Sequence, residues 1–232
     1  MKKLFFFCAA SLILFSGCID IYFDIIRHND GSYTMKRTLV LGQDFLGQMQ
    51  QFQSMAHDTT QFSLKATADS IMGEFKNEKD IYLKYDGVTS YNLYDSTKDS
   101  LAYIISEVTI KDKSLLDELA NEHFLSMKEK DQPGANRTLQ LKLSSAKKKT
   151  TLEASLVPQK DLNSMSGEDI KLFNQYFGTH AIHFRVFSPN LDPNISKDLT
   201  TLPGGQEWKI PFSVFPTIKK GSLKKVKFVI KD

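Results

Sequence analysis

The chain has 232 residues, 41% of them hydrophobic and 25% charged, with 17 Phe and 8 Tyr. That is an ordinary globular composition with enough apolar material for one sizeable core. The formal net charge is +3, and removal of Lys2 and Lys3 with the opening segment leaves +1, which argues against a general nucleic-acid binder.

Met1-Lys2-Lys3 is a short positive start, and Leu4 to Phe15 is an apolar run too short to cross a bilayer of about 30 Å as a helix. Ser16-Gly17-Cys18 follows at once. This arrangement resembles the bacterial lipoprotein signal peptide, in which small residues precede an acylated cysteine. One position departs from that pattern: the residue three before the cysteine, usually Leu, is Phe15, with Leu14 one place earlier. The resemblance implies cleavage after residue 17, lipidation of Cys18 and a body spanning 18–232. Cys8 leaves with the signal, so Cys18 is the lone cysteine of the mature chain and can form no internal disulfide. Two or three acyl chains anchor stably where one holds only marginally.

No flexible linker follows. Ile19, Ile21, Phe23 and Ile25 alternate with Asp20, Tyr22 and Asp24, the period of a half-buried strand. The body is therefore expected to lie against the membrane surface. Ile19 after the cysteine favours the outer membrane if the host has one, by resemblance to the enterobacterial sorting rule. Tyr33, Met35, Leu39 and Leu41 continue the alternation beyond a turn. A two-residue Asp30-Gly31 loop would set Ile25 opposite Lys36 and mix the faces. A three-residue loop, Asn29-Asp30-Gly31, pairs Ile25 with Met35, Ile21 with Leu39 and Asp24 with Lys36. It also puts Gly31 at the left-handed position of a type I turn with a G1 bulge. Arg37 interrupts the apolar face and has no partner legible in the sequence.

Helical spacing follows at Phe45, Met49, Phe52 and Ala56, with Asp44 as N-cap, and again at Leu64, Ala68, Ile71 and Phe75. Strands are expected near Ser90–Tyr94 and over Leu101–Ile110. A third helix is expected from about Ser114 to Lys130, with Leu116, Ala120, His123 and Met127 on one face. Thr138–Leu143 and Thr151–Val157 read as a hairpin around Lys147-Lys148-Lys149. Ser166 and Asp169 read as a weakened capping box, with Asp in place of Glu or Gln, for a short helix with Ile170, Phe173 and Phe177 inward, and Gly178 suits its C′ position. Strands recur at Ala181–Phe187, Glu207–Phe212 and Lys224–Ile230, separated by a long connection from Ser188 to Gly205. Strands bracket the helices, which gives α+β: a mostly antiparallel sheet with several amphipathic helices packed on one face.

Chemistry is sparse. His180 and His183 point to opposite faces if both lie on a strand, with no cysteine or convincing carboxylate partner in the sequence, so no metal site is assigned. His123 fits a core or edge position. Asp117-Glu118 and Glu168-Asp169 diverge by about 100° on a helix and read as solvated faces or first-turn partners of the helix dipole. No serine-hydrolase, zinc-protease, nucleotide-loop or calcium-loop motif is present, and the chain is expected to be non-enzymatic, without a cofactor. Lys219, Lys220, Lys224, Lys225 and Lys227, with Lys147 to Lys149, suit either anionic headgroups or solvated sheet edges. Phe45, Met49, Phe52 and Met55, with Met72 and Phe75, suit either a lipid or partner pocket or ordinary core packing.

Gly17-Cys18 running straight into a hairpin through Asn29-Asp30-Gly31-Ser32, together with "HFRVFSPN" at 183–190 and "EWKIPF" at Glu207–Phe212, resembles the LppM-type bacterial lipoproteins. The resemblance covers roughly a quarter of the chain and rests on turn and packing residues. It implies a single α+β domain at the cell envelope, linked in one branch to lipid or glycolipid binding, and supplies no catalytic residue. The expectation is an envelope lipoprotein anchored through Cys18 that binds a lipid-like amphiphile at Phe45, Met49, Phe52 and Met55. The alternative is an assembly protein that binds another envelope protein through an exposed apolar patch.

Overall fold

The computed structural model describes residues 20–42, 46–47, 63–127, 136–137, 139–146, 148–158, 165–193, 196–218 and 224–231. In chain order these form β1 (Asp20–Arg27), β2 (Tyr33–Gly42), α1 (Leu64–Tyr82), β3 (Val88–Lys98), β4 (Leu101–Ile110) and α2 (Ser114–Leu119). Two short strands, β5 (Ser126–Met127) and β6 (Asn136–Arg137), lead to β7 (Leu139–Ala146), β8 (Lys149–Leu156) and α3 (Gly167–Phe177). The chain closes with β9 (Ala181–Phe187), β10 (Thr200–Leu202), β11 (Gly205–Pro211) and β12 (Lys225–Lys231).

The β1–β2 hairpin has the register its alternation requires. Ile25 pairs with Met35, Ile21 with Leu39 and Asp24 with Lys36. His28 N–H donates to Ser32 O at 2.9 Å and Gly31 N–H to His28 O at 3.1 Å, which closes the three-residue loop. Gly31 stands at φ +86°, and a Cβ built there meets nothing within 4 Å. Gly31→Val is therefore expected to cost about 1–2 kcal/mol through left-handed strain alone. Urea denaturation checks this, and an unshifted midpoint would contradict it.

Seven strands form one sheet in the order β10-β11-β9-β1-β2-β4-β3. All its pairs are antiparallel except β1 with β9, which run parallel. The first strand among the described residues is thus the central one. One face carries the apolar positions Ile21, Phe23, Ile25, Met35, Ile104 and Phe184, all buried. On that face Phe23 meets Phe124 edge-on at 5.4 Å, and Phe184 meets Phe228 of β12 at 5.6 Å. Phe228 belongs to a second, three-stranded sheet, β12-β8-β7. The layer expected to consist of several helices is therefore shared between helices and a second sheet. Alternation marks which side of a strand is buried, and does not specify what buries it.

Arg37 finds its partner in α1. That helix starts at Ser63, whose Oγ accepts from Ala66 N–H at 3.1 Å, a standard N-cap. Phe75 and Glu78 lie one turn apart on its inner side. Arg37 Nη2 donates to Glu78 Oε2 at 2.6 Å, and its guanidinium sits 3.9 Å above the Phe75 ring. An arginine on an apolar face is tolerable when its charge is paired and its guanidinium plane is covered by an aromatic ring, although the buried Nε of Arg37 has no hydrogen-bond partner among the described residues. Ala68, Phe75 and Tyr82 of α1 are buried, so Phe75 belongs to the core, with Met72 packed against it.

The helix expected to reach Lys130 stops earlier. α2 gives way to a π-turn over Ala120–Phe124, closed by Leu125 N–H on Ala120 O at 2.7 Å. Met127 then lies in β5 rather than on a helical face. The wider turn places Asn121 against β7, where its amide bridges Leu141 O (2.6 Å) and Leu141 N–H (2.8 Å). These tertiary bonds override a helical apolar period that continues past them. His123 lies 3.1 Å from Tyr85 Oη through Nε2, in an edge position.

The β7–β8 hairpin forms, with Ala146 paired to Lys149 and Lys148 at φ +62°. The capping box forms as well: Ser166 Oγ accepts from Asp169 N–H at 3.2 Å and Asp169 Oδ2 from Ser166 N–H at 3.1 Å. Gly178 departs from expectation, being a right-handed C-cap at φ −64° rather than a left-handed C′ residue. The long connection after β9 is tied to both sheets. Gln206 of β11 donates to Asp192 O at 2.8 Å, and Asp192 N–H donates to Val229 O of β12 at 2.7 Å. Gly205 is required for space: a Cβ there would lie 2.5 Å from the Phe187 ring that pairs across from it.

Candidate functional site

The face of the large sheet turned away from the core is not a plain solvated surface. Pleating sends Asp20, Tyr22 and Asp24 of β1 to that side. The parallel register sets Tyr22 beside His183 and Asp24 beside Arg185 of β9. The next pairing sets Glu207 of β11 beside Arg185 and Lys209 beside His183. Seven side chains from three strands are thus brought to one face where the central strand begins.

Two linked constellations result. Arg185 forks onto Asp24, Nε to Oδ1 at 2.6 Å and Nη2 to Oδ2 at 2.7 Å, the bidentate geometry that gives such pairs their strength. The same guanidinium lies 4.5 Å from the Tyr22 ring centre and 5.6 Å from that of Phe187. His183 sits between two carboxylates: Nδ1 is 2.9 Å from Glu207 Oε1 and Nε2 is 3.3 Å from Asp20 Oδ1. Asp20 Oδ1 also accepts from Ala181 N–H at 3.0 Å. Tyr22 stacks on the imidazole with centroids 4.4 Å apart and planes 17° from parallel.

Burial pushes the His183 imidazole down, but the hydrogen bonds to Asp20 and Glu207 outweigh it and hold the group above its usual value. Burial, reinforced by the Asp20 charge, raises the Tyr22 phenol. The charge lattice continues along the face. Lys36, paired with Asp24 in register, lies 3.2 Å from Glu107, which accepts from Tyr94 Oη at 2.9 Å.

The cluster can bind and release a proton, and it fixes three strands together. It contains no nucleophile of the serine or cysteine type. Among the described residues no group of three or more His, Cys, Asp or Glu side chains is arranged to hold a metal ion. The sequence offered no carboxylate partner for His183, and the structure corrects that. Asp20 lies 163 positions away and Glu207 24. The available signal was the polar alternation of all three strands, which the register alone turns into contacts.

Cys18, Phe45, Met49, Phe52 and Met55 lie outside the described residues. Of the basic cluster, Lys225 and Lys227 flank Glu153 at 3.5 and 3.3 Å, an arrangement that leaves most of their surface solvated. Among the described residues no helix is long and apolar enough to cross a membrane.

Neither a protein-family model nor a curated protein matches the chain. Among solved structures, the NMR structure of the folded domain of Mycobacterium tuberculosis LppM is similar, with a TM-score of 0.43 and 12% identity. The match covers 93% of this chain and 91% of that one.

Proposed function

We propose that the chain is a non-enzymatic envelope lipoprotein, anchored through lipidated Cys18, in the outer membrane where the host has one. Its body binds a lipid-like amphiphile between helices and sheet. The observation that supports the anchor most is the position of β1. Asp20, two residues after Cys18, already belongs to the central strand of a seven-stranded sheet. An acylated cysteine there would be joined to the most constrained element of the fold with almost no slack, so the body would stand at the bilayer surface.

The soft apolar stripe of Phe45, Met49, Phe52 and Met55 supports the amphiphile. Of the residues in the same sequence signal, Phe75 packs in the core and Met72 against it. The second reading, assembly with another envelope protein, is favoured by Ile81 and Leu83 at the end of α1, which are 40% and 47% exposed. Mass spectrometry of lipids extracted with the purified full chain separates the two. A stoichiometric lipid, lost on Phe52→Ala without loss of folding, is the expected result. Lipid-free, fully folded protein would overturn ligand binding and leave the assembly reading.

A further inference from the structure

We infer that His183 is a resident imidazolium whose proton is part of the fold, so that the junction of β1, β9 and β11 is a proton-binding site that loosens as pH rises. A neutral imidazole carries one N–H and one lone pair. Here both ring nitrogens face carboxylate oxygens, Glu207 at 2.9 Å and Asp20 at 3.3 Å. A neutral ring would therefore direct a lone pair at one carboxylate. Only the doubly protonated ring donates to both.

The groups around the ring fit a cation. β1 presents Asp20 and the stacked face of Tyr22, and an aromatic face attracts a positive charge. β11 presents Glu207 and, opposite His183 in register, Lys209. On its own strand Arg185 is engaged by Asp24. His180 precedes the strand and is pushed towards neutrality by burial. Two carboxylates in direct contact outweigh one lysine that shares the face. The side chain is only 8% exposed, so the pair energies are little screened by water.

A fastening role follows. Asp20 holds His183 and, through the same oxygen, Ala181 N–H, while Glu207 reaches the ring from the far side of β9. The two N–H groups of one imidazolium thus tie the start of the central strand to its parallel neighbour and to the strand beyond, and loss of one proton releases one of the two ties. An unfolded histidine titrates near pH 6.5, and the folded site keeps its proton to higher pH. The added stability is fully present below about pH 6.5 and is lost as pH rises through the folded value. Within that window each pH unit changes the folding equilibrium constant by up to about tenfold. His180 contributes with the opposite sign, so the readout must be specific to His183.

The test uses the full chain, labelled with isotopic histidine, in detergent micelles. Two-dimensional imidazole NMR from pH 5 to 9 is expected to show both His183 nitrogens protonated at pH 6.5, with a midpoint above that value. Glu207→Gln is expected to lower the midpoint. In urea unfolding, the folding constant of wild type relative to His183→Gln is expected to fall as pH rises through the window. A His183 that is a single neutral tautomer at pH 6.5, or a wild-type to variant ratio independent of pH, would overturn the inference. If His183→Gln does not fold, the midpoint in wild type and in Glu207→Gln decides.

Discussion

Phe184→Ala is expected to cost about 3–5 kcal/mol, the range for removing a buried phenylalanine ring. Phe184 is fully buried on β9, and its ring meets the equally buried Phe228 of β12 at 5.6 Å. The contact joins the seven-stranded sheet to the three-stranded one, so truncation opens a void between two layers rather than at an edge. Neither side can collapse easily, because Ile21, Ile25 and Val186 beside it and Leu152 and Ile230 across from it are themselves buried. Guanidinium denaturation followed by circular dichroism measures the loss. A cost below about 1 kcal/mol would mean that the two sheets do not share a packed core.

Glu78→Ala is expected to cost about 3 kcal/mol, the lower end of the range for breaking a buried pair. The lower end applies because the Glu78 side chain is 24% exposed while that of Arg37 is only 3% exposed. Removing the carboxylate leaves the guanidinium over the Phe75 ring, 3.9 Å away, in an apolar layer, with its buried Nε already lacking a hydrogen-bond partner among the described residues. Arg37→Met has the opposite expectation. It puts an unbranched apolar side chain among Met35, Leu39 and Leu41 and removes the charge together with its desolvation cost, so stability is expected to change by less than about 1 kcal/mol or to rise. The double variant is expected to recover most of the Glu78→Ala loss. Equal losses for both single variants, with no recovery in the double, would contradict this account.

Local chemistry made the first hairpin legible. Alternation on both strands and a glycine at the only left-handed position admitted one register, and the pairs Ile25–Met35 and Ile21–Leu39 follow from it. The capping box at Ser166 was legible for the same reason, since both partners lie within four residues. The parallel pairing of β1 with β9 was not legible. Its partners stand about 160 residues apart, and no local signal names which strand a central strand will choose. The partners of His183 and of Arg37 were hidden with it, although both residues drew attention as polar groups in apolar or alternating surroundings. The end of the third helix is not legible, because its apolar period continues to Met127 while the bonds of Asn121 to β7 and of Leu125 N–H to Ala120 O reshape the chain at Ala120. Period describes what a segment could bury; long-range hydrogen bonds decide where it stops.

In the proposed reading the folded body is joined to a membrane through Cys18 at the start of its central strand. Intact mass spectrometry of the chain isolated from membranes tests that attachment. The expected result is a mature species that begins at Cys18 and carries a diacylglycerol, with or without a further acyl chain, and its absence from membranes made by a Cys18→Ala variant. A mature chain with an unmodified Cys18 thiol, or one that still retains residues 1–17, would contradict it.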